Sequence, residues 1–290
     1  MKKKILLTGG SGFIGKNIIE QLGNKYHILA PKHAELDLAD DVATLSYFKF
    51  HNTIDLVIHA AVVGGSRTEE YEKDSLKNNL RIFFNIIKNR KHVKKIIYFG
   101  SGAEYDKTKP IKKVKEKDFD KRVPQDDYGF FKYLCSKYIE NMDNIVSLRI
   151  FGMFGKYEDY HYRFISNAIC LNLLGQPIKI NQNVYFDYVY INDFIKIIEH
   201  FIHRAIKHKF YNIGTGRKIN LLSIAKKIND IATHKSQIIV KNSGLNNEYT
   251  CNNIQLMKEL GHFRFTPFDV SLRSLYNWYR RNISAIKLTK

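Results

Sequence analysis

The chain has 290 residues, 44% of them hydrophobic and 13% aromatic, which is enough to bury a large core and too apolar for a disordered chain. Its formal net charge is +19, but Lys and Arg are spread over nearly every polar segment, a pattern of solvated faces that argues against nucleic acid as the partner. No apolar run approaches the roughly 20 residues that cross a bilayer. Ile5-Leu6-Leu7 after the basic start is too short for a secretion signal. Three cysteines, Cys135, Cys170 and Cys251, lack any ligand spacing, so neither a disulfide framework nor a metal site is expected. These features describe a cytoplasmic protein with no membrane partner.

Short β-type runs open the chain and alternate with amphipathic segments. The runs are Ile5–Thr8, His27–Ala30, Leu56–His59, Ile96–Gly100 and Val146–Ile150. Between them, Gly12–Leu22, Asp40–Phe50, Asp74–Arg90 and Tyr128–Met142 repeat apolar residues every three or four positions, the period of helices that cover sheet faces. This order predicts an α/β fold, a Rossmann-like doubly wound parallel sheet. Beyond Phe151 the pattern becomes irregular. Helices are expected near Phe164–Leu174, Asp193–His203, Leu221–Ala232, Ile254–Gly261 and Phe268–Asn282, with strands near Val184–Tyr190, Phe210–Ile213 and Gln237–Val240. The expected division is a dinucleotide-binding domain over residues 1–155 and a smaller C-terminal substrate-binding lobe over 156–290. Some segments of the second part should return to the sheet, and the ligand cleft should lie between lobe and strand ends. The dense basic run Lys107 to Arg122 reads as a loop.

Three motifs carry chemistry. In "ILLTGGSGFIG", Gly9, Gly12 and Gly15 follow an apolar strand and open a helix, where backbone N–H groups and the positive helix end stabilise a diphosphate. In "YGFFK", Tyr128 and Lys132 lie four apart, on one helix face. An ammonium there favours the phenolate of a phenol whose ordinary pKa is about 10, so Tyr128 can exchange a proton with a substrate oxygen. In "YFGSGAEY", Ser101 ends the fourth strand, at the carboxyl edge where such sheets bind ligands. Each motif has a plainer reading as well: a strand–turn–helix glycine cluster, a packed tyrosine, a helix-capping serine.

Together, in this order, the three resemble the extended short-chain dehydrogenase/reductase family, and within it the GDP-fucose synthases, NADPH-dependent epimerase/reductases of GDP-keto-sugars. Ile54–Gly65, Glu35–Asp40, Tyr211–Ile228 and Ser274–Tyr279 are similar to their counterparts there. The resemblance implies that Tyr128 gives or takes the proton, that Lys132 supports it and holds the nicotinamide ribose, and that Ser101 donates to the substrate oxygen beside Gly102 and Ala103. It places Gly9, Gly12, Phe13, Ile14, Gly15, Ala60, Ala61 and the Asn78-Asn79 pair along the cofactor, and it implies a homodimer through helices that include the one bearing Tyr128.

The departures from that pattern set the finer expectations. At the end of the second strand stand Pro31-Lys32-His33, cations that suit a 2′-phosphate and predict NADP(H) over NAD(H). Asp37 lies about 20 residues beyond the glycine turn, the spacing of a ribose-binding acid, and competes with that reading. The resemblance instead places Asp37 and Leu38 in an adenine-side loop. Family members often carry Asn-x-Tyr-Gly after the fifth strand and Arg-Asp/Glu-Phe further on, where this chain has Gly152-Met153-Phe154-Gly155 and Phe186-Asp187-Tyr188. Lys156, Tyr160, His161 and Arg163 are then the candidate substrate contacts. The Cys and His that move protons beside the ketone in the epimerase/reductases correspond here to Ala103 and Arg163, neither of which can act as a base, although His161, Glu104 or Tyr160 could take that role over. The expected function is reduction of a nucleotide-activated 4-keto-sugar without epimerisation. A nucleotide-sugar epimerase or dehydratase on the same scaffold is the enzymatic alternative, and a non-catalytic cofactor-sensing or nucleic-acid-binding protein is the alternative from another class.

Overall fold

The computed structural model describes residues 2–64 and 74–286. In chain order the first half gives β1 (Lys4–Thr8), α1 (Phe13–Leu22), β2 (His27–Leu29), α2 (Asp41–Phe50), β3 (Leu56–His59), α3 (Ser75–Lys88), β4 (Lys95–Ser101), β5 (Ile111–Val114), α4 (Asp127–Ile139) and β6 (Ile145–Ile150). The second half gives β7 (Gly152–Phe154), α5 (Phe164–Leu173), β8 (Ile178–Asn183), β9 (Tyr185–Phe186), β10 (Tyr188–Tyr190), α6 (Ile191–His203) and β11 (Phe210–Ile213). There follow β12 (Ile219–Asn220), α7 (Leu221–Ile231), β13 (Ile238–Leu245), β14 (Tyr249–Cys251), α8 (Ile254–Leu260) and α9 (Phe268–Arg281).

Six strands form one parallel sheet in the order β2-β1-β3-β4-β6-β11. Its strands are apolar at successive positions because both faces are covered. Ile5 and Leu7, Leu56 and Ile58, Ile97 and Phe99, and Val146 and Leu148 face one core, with Ile18 and Leu22 of α1 and Phe194, Ile198 and Phe201 of α6. Leu6, Val57, Ile96, Tyr98 and Ile145 face the other, with Phe48 of α2, Phe83 and Ile86 of α3, and Phe131 and Cys135 of α4. Strand order reverses between β1 and β3, so their carboxyl ends splay apart and open the crevice where such sheets hold ligands.

A second core lies in the C-terminal part, built from Ile165 and Ile169 of α5, Ile224 and Ile228 of α7, and Leu272 and Leu275 of α9. Short strands surround it. β13 pairs with β8, β10 with β7, and a four-stranded sheet runs β12-β9-β14-β5. β11 returns to the edge of the main sheet beside β6.

The basic run expected to be a loop contains β5, because Ile111 is buried and pairs with Tyr249 of the distant β14, while Lys112 and Lys113 stay exposed. The strand expected at Val184–Tyr190 is broken at Asp187, whose buried carboxylate accepts the N–H groups of Thr215 and Gly216 and the Thr215 hydroxyl. A side chain committed to that turn ends one pairing and starts the next. β2 stops at Leu29, one residue short of the expected Ala30.

One buried ion pair fastens these pieces. Arg149 of β6 and Glu104, in the turn after β4, are both fully buried, with Nε 2.6 Å from Oε2. Glu104 also accepts from the Ser101 backbone N–H at 2.8 Å and from the Ser136 hydroxyl of α4 at 2.6 Å. The guanidinium lies against the rings of Phe119 and Phe210, 4.3 and 4.2 Å from their centres. Removing one partner strands the other charge in the core, a loss of ~3–5 kcal/mol. Glu104→Gln and Arg149→Met should each lower the urea midpoint strongly, whereas the double variant should lose clearly less than the sum. Strictly additive midpoint losses would refute the coupling.

Candidate active site

The glycine turn after β1 is held by close backbone approach. Gly9 has φ +72°, and a methyl group there would lie 2.8 Å from Ala60 C and Ala61 N at the end of β3. A methyl on Gly15 would meet the Gly9 carbonyl oxygen at 2.2 Å. Gly12 is the N-cap of α1 and supplies no side-chain cap, and the first turn of that helix holds no acid. Phe13 and Ile14 follow in the same turn and pack against the sheet core. Free N–H groups, a positive helix end and bare glycine surface together fit a diphosphate. Beneath the turn, Thr8 Oγ1 accepts from Ala60 N and Ala61 N, both at 3.2 Å, and contacts His59 Nδ1 at 2.7 Å. Burial pushes the His59 imidazole down to about 3, so the ring is neutral and serves as a prop.

The remaining candidate cofactor residues divide. Lys32 and His33 follow β2 with exposed side chains, and the Lys32 N–H donates to Glu35 at 2.7 Å. Asp37 is exposed but bonded within its own loop, accepting from Ala39 N at 2.8 Å and lying 3.8 Å from His33 Nδ1. The Leu38 carbonyl is pinned by Asn85 of α3 at 2.9 Å. Asn79 of α3 spends both ends of its amide on the backbone of Val63, each at 2.9 Å, so it shapes the wall that continues from Ala60 and Ala61. Gly65, the last residue of the stretch that carries the resemblance there, lies outside the described residues.

At the carboxyl end of β4, Ser101 caps a short turn over Gly102–Tyr105 and accepts from Ala103 N at 3.1 Å. The capping reading of Ser101 is therefore real, and it uses only one lone pair. Tyr128 and Lys132 share one face of α4, a helix started by Asp126, which accepts from Gly129 N at 3.0 Å. Lys132 is buried, with its ammonium 5.9 Å from the centre of the Tyr128 ring. It donates to the Phe99 carbonyl at 2.7 Å and to the Tyr98 hydroxyl at 3.2 Å. Burial lowers its pKa to about 8, partly offset by the charges of Cys135 and Glu104, so it is still mainly cationic near neutrality. Lys107 brings a second ammonium 5.8 Å from the same ring while paired with Asp126 at 3.2 Å. Two cations thus face the place where a phenolate would form.

The loop after β7 carries the candidate substrate contacts. Asn17 of α1 donates to the Lys156 carbonyl at 2.9 Å and so ties the loop to the diphosphate helix. Lys156 itself is ion-paired to Glu20 of α1. The Tyr160 and His161 rings are tilted 32° to each other with centres 4.4 Å apart, and Arg163 stands at the N-cap of α5. His161 and Arg163 are exposed. Among the described residues no cluster of His, Cys, Asp and Glu could hold a metal ion, and no helix is long and apolar enough to cross a membrane.

Residues 5–214 match the model of the NAD dependent epimerase/dehydratase family. The chain belongs to that family. It is 29% identical over 267 residues to an ADP-L-glycero-D-manno-heptose-6-epimerase of Brachyspira hyodysenteriae, covering 78% of this chain and 80% of that one. It is 23% identical to GDP-L-fucose synthase 1 of Arabidopsis thaliana, covering 97% of this chain and 94% of the relative. The solved structure of a GDP-6-OMe-4-keto-L-xylo-heptose reductase from C. jejuni superimposes with a TM-score of 0.81 at 17% identity, over 97% of this chain and 98% of that one. At that identity the likeness is one of fold.

In this epimerase/dehydratase-family enzyme, several residues at the site escape sequence reading. Lys107 is hidden in a basic run, and Tyr98 and Arg149 look like ordinary strand residues. Glu158, in the loop after β7, is another. It is buried and accepts from the Ser166 hydroxyl of α5 at 2.6 Å. Burial pushes its carboxyl up to about 8, although the Ser166 hydroxyl and Arg163 pull it down. The unfolded carboxyl releases its proton near 4.5, so between these values the folded state holds more protons and stability falls as pH rises. Glu158→Gln keeps an acceptor for Ser166 and removes the ionisation. It should leave Tm nearly unchanged at pH 5 and raise it by roughly 5 °C at pH 8. A variant whose Tm follows the parent's pH dependence throughout would contradict the assignment.

Proposed function

We propose that the enzyme reduces a nucleotide-activated 4-keto-sugar with NADPH and does not epimerise it. One observation carries the reading: the groups that hand a proton to a ketone oxygen are present, whereas the two positions that match the flanking-carbon proton carriers, and the carboxylate beside one of them, hold nothing free to act as a base. Ser101, Tyr128 and Lys132 supply the first set. Of the second, Ala103 has no titratable group, Arg163 cannot be deprotonated, and Glu104 is sealed in its ion pair with Arg149. The names of the relatives support a sugar linked to a nucleoside diphosphate.

The reaction divides between cofactor and chain. The chemistry that a reduced nicotinamide would supply is a hydride, with its two electrons, for the carbonyl carbon. Ser101 donates a hydrogen bond to the carbonyl oxygen, and Tyr128 gives that oxygen its phenolic proton. Lys132 and Lys107 stabilise the phenolate left behind until solvent reprotonates it. Two of the three Lys132 N–H groups are spent on Phe99 and Tyr98, which leaves one for a ribose hydroxyl. The exposed Lys32 and His33 suit a 2′-phosphate, and Asp37, already bonded within its loop, is poorly placed to select NAD(H).

Tyr128→Phe tests the assignment. On a panel of GDP-, ADP-, UDP- and dTDP-linked 4-keto-sugars, the parent should oxidise NADPH with at least one member. The variant should lose a hundredfold or more in kcat, ~3 kcal/mol in barrier. Calorimetry should show NADPH binding unchanged by the substitution and tighter than NADH. Near-parental turnover by the variant would sink the mechanism, and tighter binding of NADH would reverse the cofactor preference.

A further inference from the structure

The ammonium of Lys132 is carried into an apolar core. Lys132 is 4% exposed and Tyr98, on β4, is 1% exposed. The charge lies 4.7 Å from the centre of the Tyr98 ring and 4.8 Å from that of Phe131, both members of the core between the sheet and α4. Among the described residues two acceptors are bonded to it. One is the Phe99 carbonyl at 2.7 Å, a backbone group that any residue there would supply. The other is the Tyr98 hydroxyl at 3.2 Å, which depends on this side chain alone. A phenylalanine would fill the same place in the core without the cost of burying a polar atom, so packing gives no reason for the hydroxyl. The ring that carries it is fixed. It meets Phe83 edge to face at 5.3 Å and lies 5.7 Å from His59. His59 is held by Thr8 Oγ1 at 2.7 Å, the same oxygen that takes the N–H groups of Ala60 and Ala61. A run of buried contacts thus leads from beneath the glycine turn to Lys132.

We propose that Tyr98 is a positioning residue whose hydroxyl holds the Lys132 ammonium, charged and fixed in direction, beside the Tyr128 phenol. The inference rests on the reading of Tyr128 and Lys132 as the pair that serves proton transfer. An ammonium has three N–H groups and rotates freely unless they are taken. Phe99 and Tyr98 take two of them from the β4 side, which directs the third away from the strand. A neutral acceptor bonded to the ammonium also favours the charged form, and burial keeps the Tyr98 phenol neutral by holding it well above its ordinary pKa. The other titratable groups around Lys132 give it little help. Cys135 of α4 and Glu104 raise its pKa, but burial pushes the Cys135 thiol up to about 12 and Glu104 is committed to Arg149. His59 of β3 is neutral. Lys107, on the other side of the Tyr128 ring, is a like charge and opposes the ammonium.

The test is Tyr98→Phe in the full chain, which keeps the ring against Phe83 and His59 and removes only the hydroxyl. NMR of protein carrying lysine labelled with carbon-13 at Cε reads the charge of Lys132 with no substrate present, its signal assigned by its absence from Lys132→Met. The Lys132 midpoint should stand at about 8 in the parent and about one pH unit lower in the variant, tenfold in the protonation equilibrium. Reduction needs the cation, so the loss in kcat should grow with pH: almost none at about pH 6, roughly twofold at about pH 7 and roughly fivefold at about pH 8. A purely structural role would lower Tm and turnover alike at every pH and leave the midpoint where it was. A midpoint that does not move, or a loss in kcat that is the same at low and high pH, would therefore overturn the proposal. If the parent turns over no member of the 4-keto-sugar panel, the reduction reading fails, and the Lys132 midpoint still decides whether Tyr98 holds the ammonium.

Discussion

The ion pair between Glu104 and Arg149 joins the pieces of chain on which the candidate active site is built. Glu104 belongs to the turn capped by Ser101 and takes the Ser101 N–H, so the carboxylate sets where that residue points. Its other oxygen takes the Ser136 hydroxyl, one helical turn beyond Lys132 on α4. Arg149 comes from β6, and its NH1 donates to the Tyr105 hydroxyl at 3.1 Å. Tyr105 in turn donates to Asn212 of β11 at 2.7 Å. A charge buried this deeply is tolerable only with partners, which Arg149 Nε and Nη1 find and the buried Nη2 does not. The requirement that each partner be in place fixes β4, α4, β6 and β11 relative to one another to within hydrogen-bond tolerance.

The same pair has a chemical consequence. Glu104, the residue after Ala103, is the carboxylate nearest in sequence to the Ser101 turn, and its engagement with Arg149 keeps it from acting as a free base. The site is left with proton donors and cations: the Ser101 hydroxyl, the Tyr128 phenol, Lys132 and Lys107. Such a set favours delivery of a proton to oxygen over its removal from carbon. The basic character that pervades the chain thus appears within the site as two ammonium groups about one phenol ring.

The parallel sheet was legible because each of its strands is a local apolar run and each crossover a local amphipathic helix. Leu56–His59 and Phe210–Ile213 read from pattern alone as they stand in the fold, and Ile5–Thr8 misses only the first residue of β1. The short strands of the second half were not, since Ile111–Val114 and Tyr249–Cys251 have little pattern of their own and exist because each satisfies the backbone of the other. The site divides in the same way. Gly9, Gly12, Gly15, Tyr128 and Lys132 announce themselves by local spacing. Arg149, 45 residues from Glu104, acts through contacts that no local pattern encodes. Asn79, read as cofactor-facing, also holds the backbone of Val63 through one bond at each end of its amide, a contact its position in sequence does not announce.

Reduction without epimerisation adds hydrogen at one carbon only. The direct measurement is to convert a nucleotide-linked 4-keto-sugar with unlabelled NADPH in heavy water and to read the product by mass spectrometry and NMR. Reduction without epimerisation predicts one NADPH oxidised per product, ordinary hydrogen at the former carbonyl carbon, and no deuterium on either flanking carbon. Enzyme-dependent deuterium on a flanking carbon at the rate of turnover, or sugar converted with NADPH left intact, would contradict it.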